Sequence, residues 1–146
     1  MNVPVRAMQI SVAPYSPDRF AELAAVRSAV FTDEQGIAAA INFDGLDPEA
    51  VHASARVDGR YVGVARMLAD GHIGRVAVLE DHRHGGIGAA LTQALTDYAR
   101  TRGYSRVYLA AQESAIPFYL KLGFTAFGDR YLEAGILHQD MRLDLA

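Results

Sequence analysis

The chain contains no cysteine, which excludes a disulfide framework, a thiolate nucleophile and a cysteine zinc site. It has no lysine- or arginine-rich run, and its formal charge is -3. Nucleic-acid binding therefore lacks its usual electrostatic driving force. No stretch approaches the ~18 apolar residues that a membrane-spanning helix needs. The opening Met1-Asn2-Val3-Pro4-Val5-Arg6 has no apolar segment of the kind a secretory leader carries. Repeats, low-complexity tracts and linkers are absent as well. What is present is 146 residues, 51% hydrophobic and 21% charged, enough to bury one core without staples. The expectation is one cytoplasmic domain over residues 1–146, with neither a membrane nor a nucleic-acid partner.

Periodicity places the elements. Residues 8–12 read as a short strand. Ser16 and Pro17 open a helix as N-cap and first helical residue. Its apolar stripe runs Phe20, Leu23, Ala24, Val30 and Phe31, with Arg27 in the middle, either snorkelling at the rim or functional. An irregular segment, 36–48, carries Asp44 and Asp47. Three strand runs follow at 51–57, 61–68 and 73–79, turned by Asp58-Gly59 and Asp70-Gly71, and together they form an antiparallel meander.

The period then changes. Ile87, Ala90, Leu91, Ala94, Leu95, Tyr98 and Ala99 trace one face of a helix that Gly103 ends. Strand 106–111 completes a strand–helix–strand unit with a parallel crossover. A second helix covers 114–122, and closing strands cover 124–127 and 136–143. The fold expected is α/β: a mixed sheet, an antiparallel meander plus a parallel βαβ unit, flanked by helices.

Between strand and helix lies Glu80-Asp81-His82-Arg83-His84-Gly85-Gly86-Ile87-Gly88. Three glycines in four residues weaken a helix start, so something must offset their cost. Without Cβ atoms, successive N–H groups can point into one concavity, and with the positive end of the helix dipole they form an anion site. Arg83 can add a charged fork. A glycine-rich turn without ligand is the bland alternative. Walker A fails because no Lys-Ser or Lys-Thr follows the glycines. The dinucleotide fingerprint fails because this is G-G-x-G after a meander. His82 and His84 lack a third ligand, so no metal is expected.

This loop resembles the pyrophosphate loop of the GNAT superfamily of N-acetyltransferases, Q/R-x-x-G-x-G/A, here Arg83-His84-Gly85-Gly86-Ile87-Gly88. The preceding Arg75-Val76-Ala77-Val78 is similar to the family's strand. Ala115-Ile116-Pro117-Phe118-Tyr119-Leu120-Lys121-Leu122-Gly123-Phe124 is similar to its A-x-x-F-Y-x-K-x-G-F segment. Val30-Phe31, Glu34-Gln35, Asp44, Asp47, His52, Glu133-Ala134-Gly135-Ile136, His138 and Met141 look like a YjcF-like branch. His84 stands where glycine is common, and Gln112 where many members have Asn.

The resemblance implies acetyl-CoA as co-substrate, lying between strands 73–79 and 106–111. Its pantetheine arm would bond to the backbone of Val76 and Val78, with Ala77 between them. Its pyrophosphate would take N–H groups from Arg83, His84, Gly85, Gly86, Ile87 and Gly88, and Gln112 would also belong to the cofactor site. The Val78 N–H would polarise the thioester carbonyl. A small primary amine would attack directly, since no cysteine can form an acetyl-enzyme. Tyr119 would protonate the departing thiolate, or else be an aromatic of the core. The base is open among Glu34, Asp44, Asp47, Glu133, His52 and His138, with Glu34 and Glu133 favoured. The acidic residues hint at a cationic amine. A non-catalytic acyl-CoA-binding module fits the loop equally well, and a homodimer is compatible with the pattern.

Overall fold

The computed structural model describes residues 8–145; the Met1–Arg6 run lies outside them. Four strands form the first sheet in chain order: β1 (Met8–Pro14), β2 (Val51–Val57), β3 (Arg60–Met67) and β4 (Ile73–Val78), all antiparallel. The expected meander is there, with β1 added at its edge. A proline at the end of an edge strand removes no needed donor. Asp58 and Gly59 both take positive φ, 51° and 80°, as a two-residue hairpin turn demands.

Both faces of this sheet are covered. Ala53, Ala55, Gly63 and Ala65 are cross-strand neighbours on one face. Their small size lets α3 (Ile87–Thr101) seat Leu91, Leu95 and Ala99 closely against it. At Gly63 a Cβ would stand 2.8 Å from Ile87 Cγ2, so only glycine admits the first residue of α3 there. On the other face α1 (Pro17–Arg27) packs Leu23 and Val26 against Val64 and Ala77. Ser16 precedes α1 with extended dihedrals, but its hydroxyl makes no capping bond. The helix runs on as a π-helical stretch, Ser28–Glu34, a widened turn of the kind that often marks functional sites.

The irregular segment contains α2 (Ala39–Asn42) and a 3₁₀ turn, Asp47–Glu49. After α3 come β5 (Arg106–Gln112), α4 (Ile116–Lys121), β6 (Thr125–Ala126), β7 (Tyr131–Glu133) and β8 (Ile136–Asp144). β8 is the centre of a second antiparallel sheet, with β5 along one edge and β6 and β7 along the other. The β7–β8 hairpin turns through Ala134 and Gly135, at φ 53° and 76°, and sequence reading missed β7. The parallel unit is narrower than expected. Among described residues one parallel bridge, from His72 just before β4 to Tyr108 on β5, joins the two sheets, and the strands part beyond it.

Candidate active site

The open edge of β4 is shaped by a bulge. Val64 pairs with Ala77 and Arg66 with Gly74, so Arg75 and Val76 together face Ala65 alone. One extra residue on β4 breaks the ladder there and re-aims its backbone. Arg75 takes φ 52°, a left-handed conformation that costs a non-glycine residue about 1–2 kcal/mol. Beyond the bulge Leu79 N–H donates to Val62 O at 2.9 Å, while Val78 O accepts from Arg83 Nε at 2.9 Å. The Val78 carbonyl therefore points away from β3, opposite to the Leu79 N–H of the same peptide. Ala77 is paired with Val64 and buried.

The glycine loop follows. His84 and Gly86 take φ 65° and 84°, and Gly86 is the N-cap of α3. Among the described residues the N–H groups of residues 84–89 meet no protein acceptor, and Ala90 N–H to Gly86 O is the first helical bond. Alternating backbone hand with several orphan donors at a helix start is the arrangement that cradles phosphate. Arg83 does not join it as a free fork. Besides Val78 O, its guanidinium binds Glu34 Oε1 at 2.5 Å, which raises its already high pKa. Glu34, expected at the acceptor end, is thus the partner of the glycine loop's arginine.

A cleft of about 240 Å³ opens where β4 and β5 part. Val76, Gln112, Tyr119, Glu133 and His138 line it, together with His72 and Arg75; Glu34 does not. Gln112 Nε2 donates to Gln35 Oε1 at 3.0 Å, linking the end of β5 to the end of the π-helical stretch. Tyr119 is 8% exposed, with its ring edge-on to Phe118 and Phe124. Burial pushes its phenol up to about 12. Its hydroxyl has no hydrogen-bond partner within the described residues. His138 Nδ1 lies 2.7 Å from Ile136 O. A carbonyl only accepts, so Nδ1 carries a proton, and in the neutral tautomer Nε2 holds the lone pair.

The remaining acidic candidates have other work. Arg27 does not snorkel: it is 2% exposed, donating to Asp47 Oδ1 at 2.6 Å and to Asn42 Oδ1 at 3.2 Å. Arg66 binds Asp44 through two nitrogens, at 2.8 and 2.6 Å, and Asp47 at 3.1 Å. The Arg66 bond is the main reason the Asp44 carboxyl is held far below the usual carboxylate range. His52 donates from Nε2 to Asp47 O at 2.9 Å. Asp44, Asp47 and His52 therefore pin the 38–50 segment to the sheet, and the expected steering of a cationic amine loses two of its carboxylates. His72 escaped the sequence reading. Its imidazole stacks on Tyr108 at 4.8 Å, and burial lowers its pKa; a lone histidine after a turn gave no signal.

The same architecture occurs in an acyl-CoA N-acyltransferase from Pseudomonas aeruginosa, with a TM-score of 0.82 and 28% identity over 92% of this chain and 98% of that one. Escherichia coli ElaA matches with a TM-score of 0.82 and 27% identity, again covering 92% and 98%. The model of the acetyltransferase (GNAT) domain matches residues 14–145, and the chain belongs to that family. It is 36% identical over 123 residues to the uncharacterized N-acetyltransferase YjcF of Bacillus subtilis, 82% of this chain and 88% of the relative. Acyl-CoA-dependent N-acyl transfer is the activity that follows from this membership, and the unpartnered loop donors fit the pyrophosphate of such a co-substrate. No helix among the described residues is long and apolar enough to cross a membrane.

Proposed function

We propose that the protein transfers the acetyl group of acetyl-CoA to a small primary amine by direct attack within a ternary complex. The observation that carries this reading is the run of unpartnered N–H groups at residues 84–89, next to a strand edge whose Val78 carbonyl already faces outward, toward Arg83. The loop takes the pyrophosphate. The pantetheine arm extends along Val76 and Val78 as an added strand would, and an N–H of the bulged edge polarises the thioester carbonyl.

The amine nitrogen adds to the carbonyl carbon, the tetrahedral intermediate collapses and the C–S bond breaks. The nitrogen's proton leaves to an acceptor of the cleft, Glu133 directly or through water, or His138 Nε2. The thiolate is met by the Tyr119 hydroxyl. The absence of cysteine rules out an acetyl-cysteine intermediate. Calorimetry with acetyl-CoA, followed by an assay of CoA release over a panel of amines, tests the reading. Saturable acetyl-CoA binding and amine-dependent release are expected. Binding without release for any amine would favour a non-catalytic acyl-CoA module.

A further inference from the structure

Charge around the cleft is unevenly matched. Three arginines, Arg27, Arg66 and Arg75, share two carboxylates, Asp44 and Asp47. Asp44 gives both oxygens to Arg66, and Asp47 Oδ1 is divided between Arg27 and Arg66. Arg75 is last in line. Its Nη2 lies 3.3 Å from Asp44 Oδ2, and its other bonds go to neutral carbonyls, Nε to Asn42 O at 3.1 Å and Nη2 to Ile41 O at 2.9 Å. Its Nη1 has no acceptor within the described residues.

Two arginines take most of the two negative charges, so about one positive charge is left over. It surfaces at Arg75, which lines the cleft. The backbone holds it there: Arg75 sits in the bulge at φ 52°, and the bonds to residues 41, 42 and 44 fix its guanidinium against the 38–50 segment. A half-buried cation without a full partner is a standing electrostatic cost that a ligand anion offsets. The other charged side chain of the cleft is Glu133, carried by the β7–β8 hairpin of the other sheet. One cation and one carboxylate lining the same cleft from different sheets suit a bipolar molecule better than a polycation.

We infer that the acceptor amine carries an anionic group, a carboxylate or a phosphate, which the free Nη1 edge of Arg75 binds while the amino end lies toward Glu133. This rests on the acetyl-transfer reading above. Arg75 then acts as a specificity residue and takes no part in bond making.

Matched pairs of acceptors test it on the full chain at saturating acetyl-CoA. The first set compares an α-amino acid with its amide and its decarboxylated amine, and the second compares phosphoethanolamine with ethanolamine. In at least one set the anionic member should show about tenfold or higher kcat/KM, roughly 1.4 kcal/mol. The set that responds identifies carboxylate or phosphate. Arg75→Gln should raise KM for that acceptor about tenfold while sparing its neutral counterpart, and Arg75→Lys should recover part of the loss. A thermal melt checks folding, and the wild-type comparison decides even if Arg75→Gln does not fold. Neutral members preferred or equal in both sets would overturn the inference, as would a preference that survives in folded Arg75→Gln. Acetyl-CoA binding with no anionic amine acetylated would overturn it alone. Absence of acetyl-CoA binding would overturn the underlying reading.

Discussion

Arg83 Nη2 and Glu34 Oε1 lie 2.5 Å apart, tying the glycine loop to the end of the π-helical stretch. Both side chains are one-third exposed, so the pair adds at most about 1 kcal/mol to stability. Its larger effect is on charge: Glu34 sets a carboxylate beside a loop of unpartnered backbone donors and occupies the loop's arginine. Glu34→Gln removes that anion and frees Arg83. Steady-state kinetics should show KM for acetyl-CoA falling with kcat nearly unchanged. A large kcat loss at constant acetyl-CoA affinity would mean that Glu34 takes the amine's proton after all.

The loop itself is tested at Gly86. A Cβ there meets nothing within 4 Å, but φ is 84°, so a side chain enters open space at the loop mouth and carries left-handed strain of about 1–2 kcal/mol. Gly103 at the other end of α3 supplies the control, with φ 79° and equally open surroundings. Gly86→Val and Gly103→Val should melt at similarly reduced temperatures. Calorimetry should show acetyl-CoA affinity lost in Gly86→Val alone. Equal affinity in the two variants would move the pyrophosphate away from this loop.

Much of this architecture was legible because it is local. The α3 stripe, the Asp58-Gly59 turn and the glycine loop each announce themselves within a few residues. The loop's donors are backbone atoms, so a pattern of glycines was enough to find them. What stayed hidden depends on distant partners. Arg27 meets Asp47 only after a long excursion of the chain, and nothing in the helical stripe tells a buried ion pair from a snorkelling rim residue. The β4 bulge at Arg75 arises from register against β3, which a strand's own alternation does not reveal. β7 is three residues long and leaned on a turn, Ala134-Gly135, whose first residue is an unusual left-handed alanine.

The buried ion network should dominate stability changes. Asp47 is 4% exposed and is shared by Arg27 and Arg66. Asp47→Ala leaves two buried guanidinium groups without that anion, and breaking such a pair from one side costs about 3–5 kcal/mol. Chemical denaturation should register a loss of that size. A loss below about 1 kcal/mol, the range of exposed pairs, would show that water or Asp44 takes over the charge.

Acid should weaken the fold in two stages. Burial lowers the pKa of His52 and His72 below the ordinary 6.5, so the unfolded chain binds protons that the folded one refuses. Stability is therefore full above about pH 6.5 and is lost as the pH falls from there toward the folded values. Asp44 is depressed far below its ordinary value, chiefly by Arg66. Its contribution is present above about pH 4 and drains away as the pH falls further. Melting curves from pH 8 to 3 should show both declines. His52→Gln retains a donor for Asp47 O without a titrating group and should shallow the first decline alone. An unchanged slope between pH 6.5 and 5 would exclude His52 as its source.

Tyr119 offers the sharpest separation of chemistry from packing. Its ring is held in the core by Phe118 and Phe124, while the residue lines the cleft and its hydroxyl lacks a hydrogen-bond partner among the described residues. With the phenol pushed up to about 12, it stays protonated throughout the working pH range. A thiol of pKa about 8.5 leaves as a weaker base than the tyrosinate, so complete proton transfer is uphill. The favourable contribution is a hydrogen bond donated to the sulfur as charge builds on it. Such a bond forms only on the way to the transition state, and losing it lowers kcat with little effect on binding. Tyr119→Phe should cut kcat by ~10²-fold at similar acetyl-CoA affinity. Because the hydroxyl makes no bond among the described residues, the variant should melt at the same temperature or higher. A lower melting temperature with normal turnover would reverse both halves of the argument, making the hydroxyl structural and leaving water to meet the thiolate.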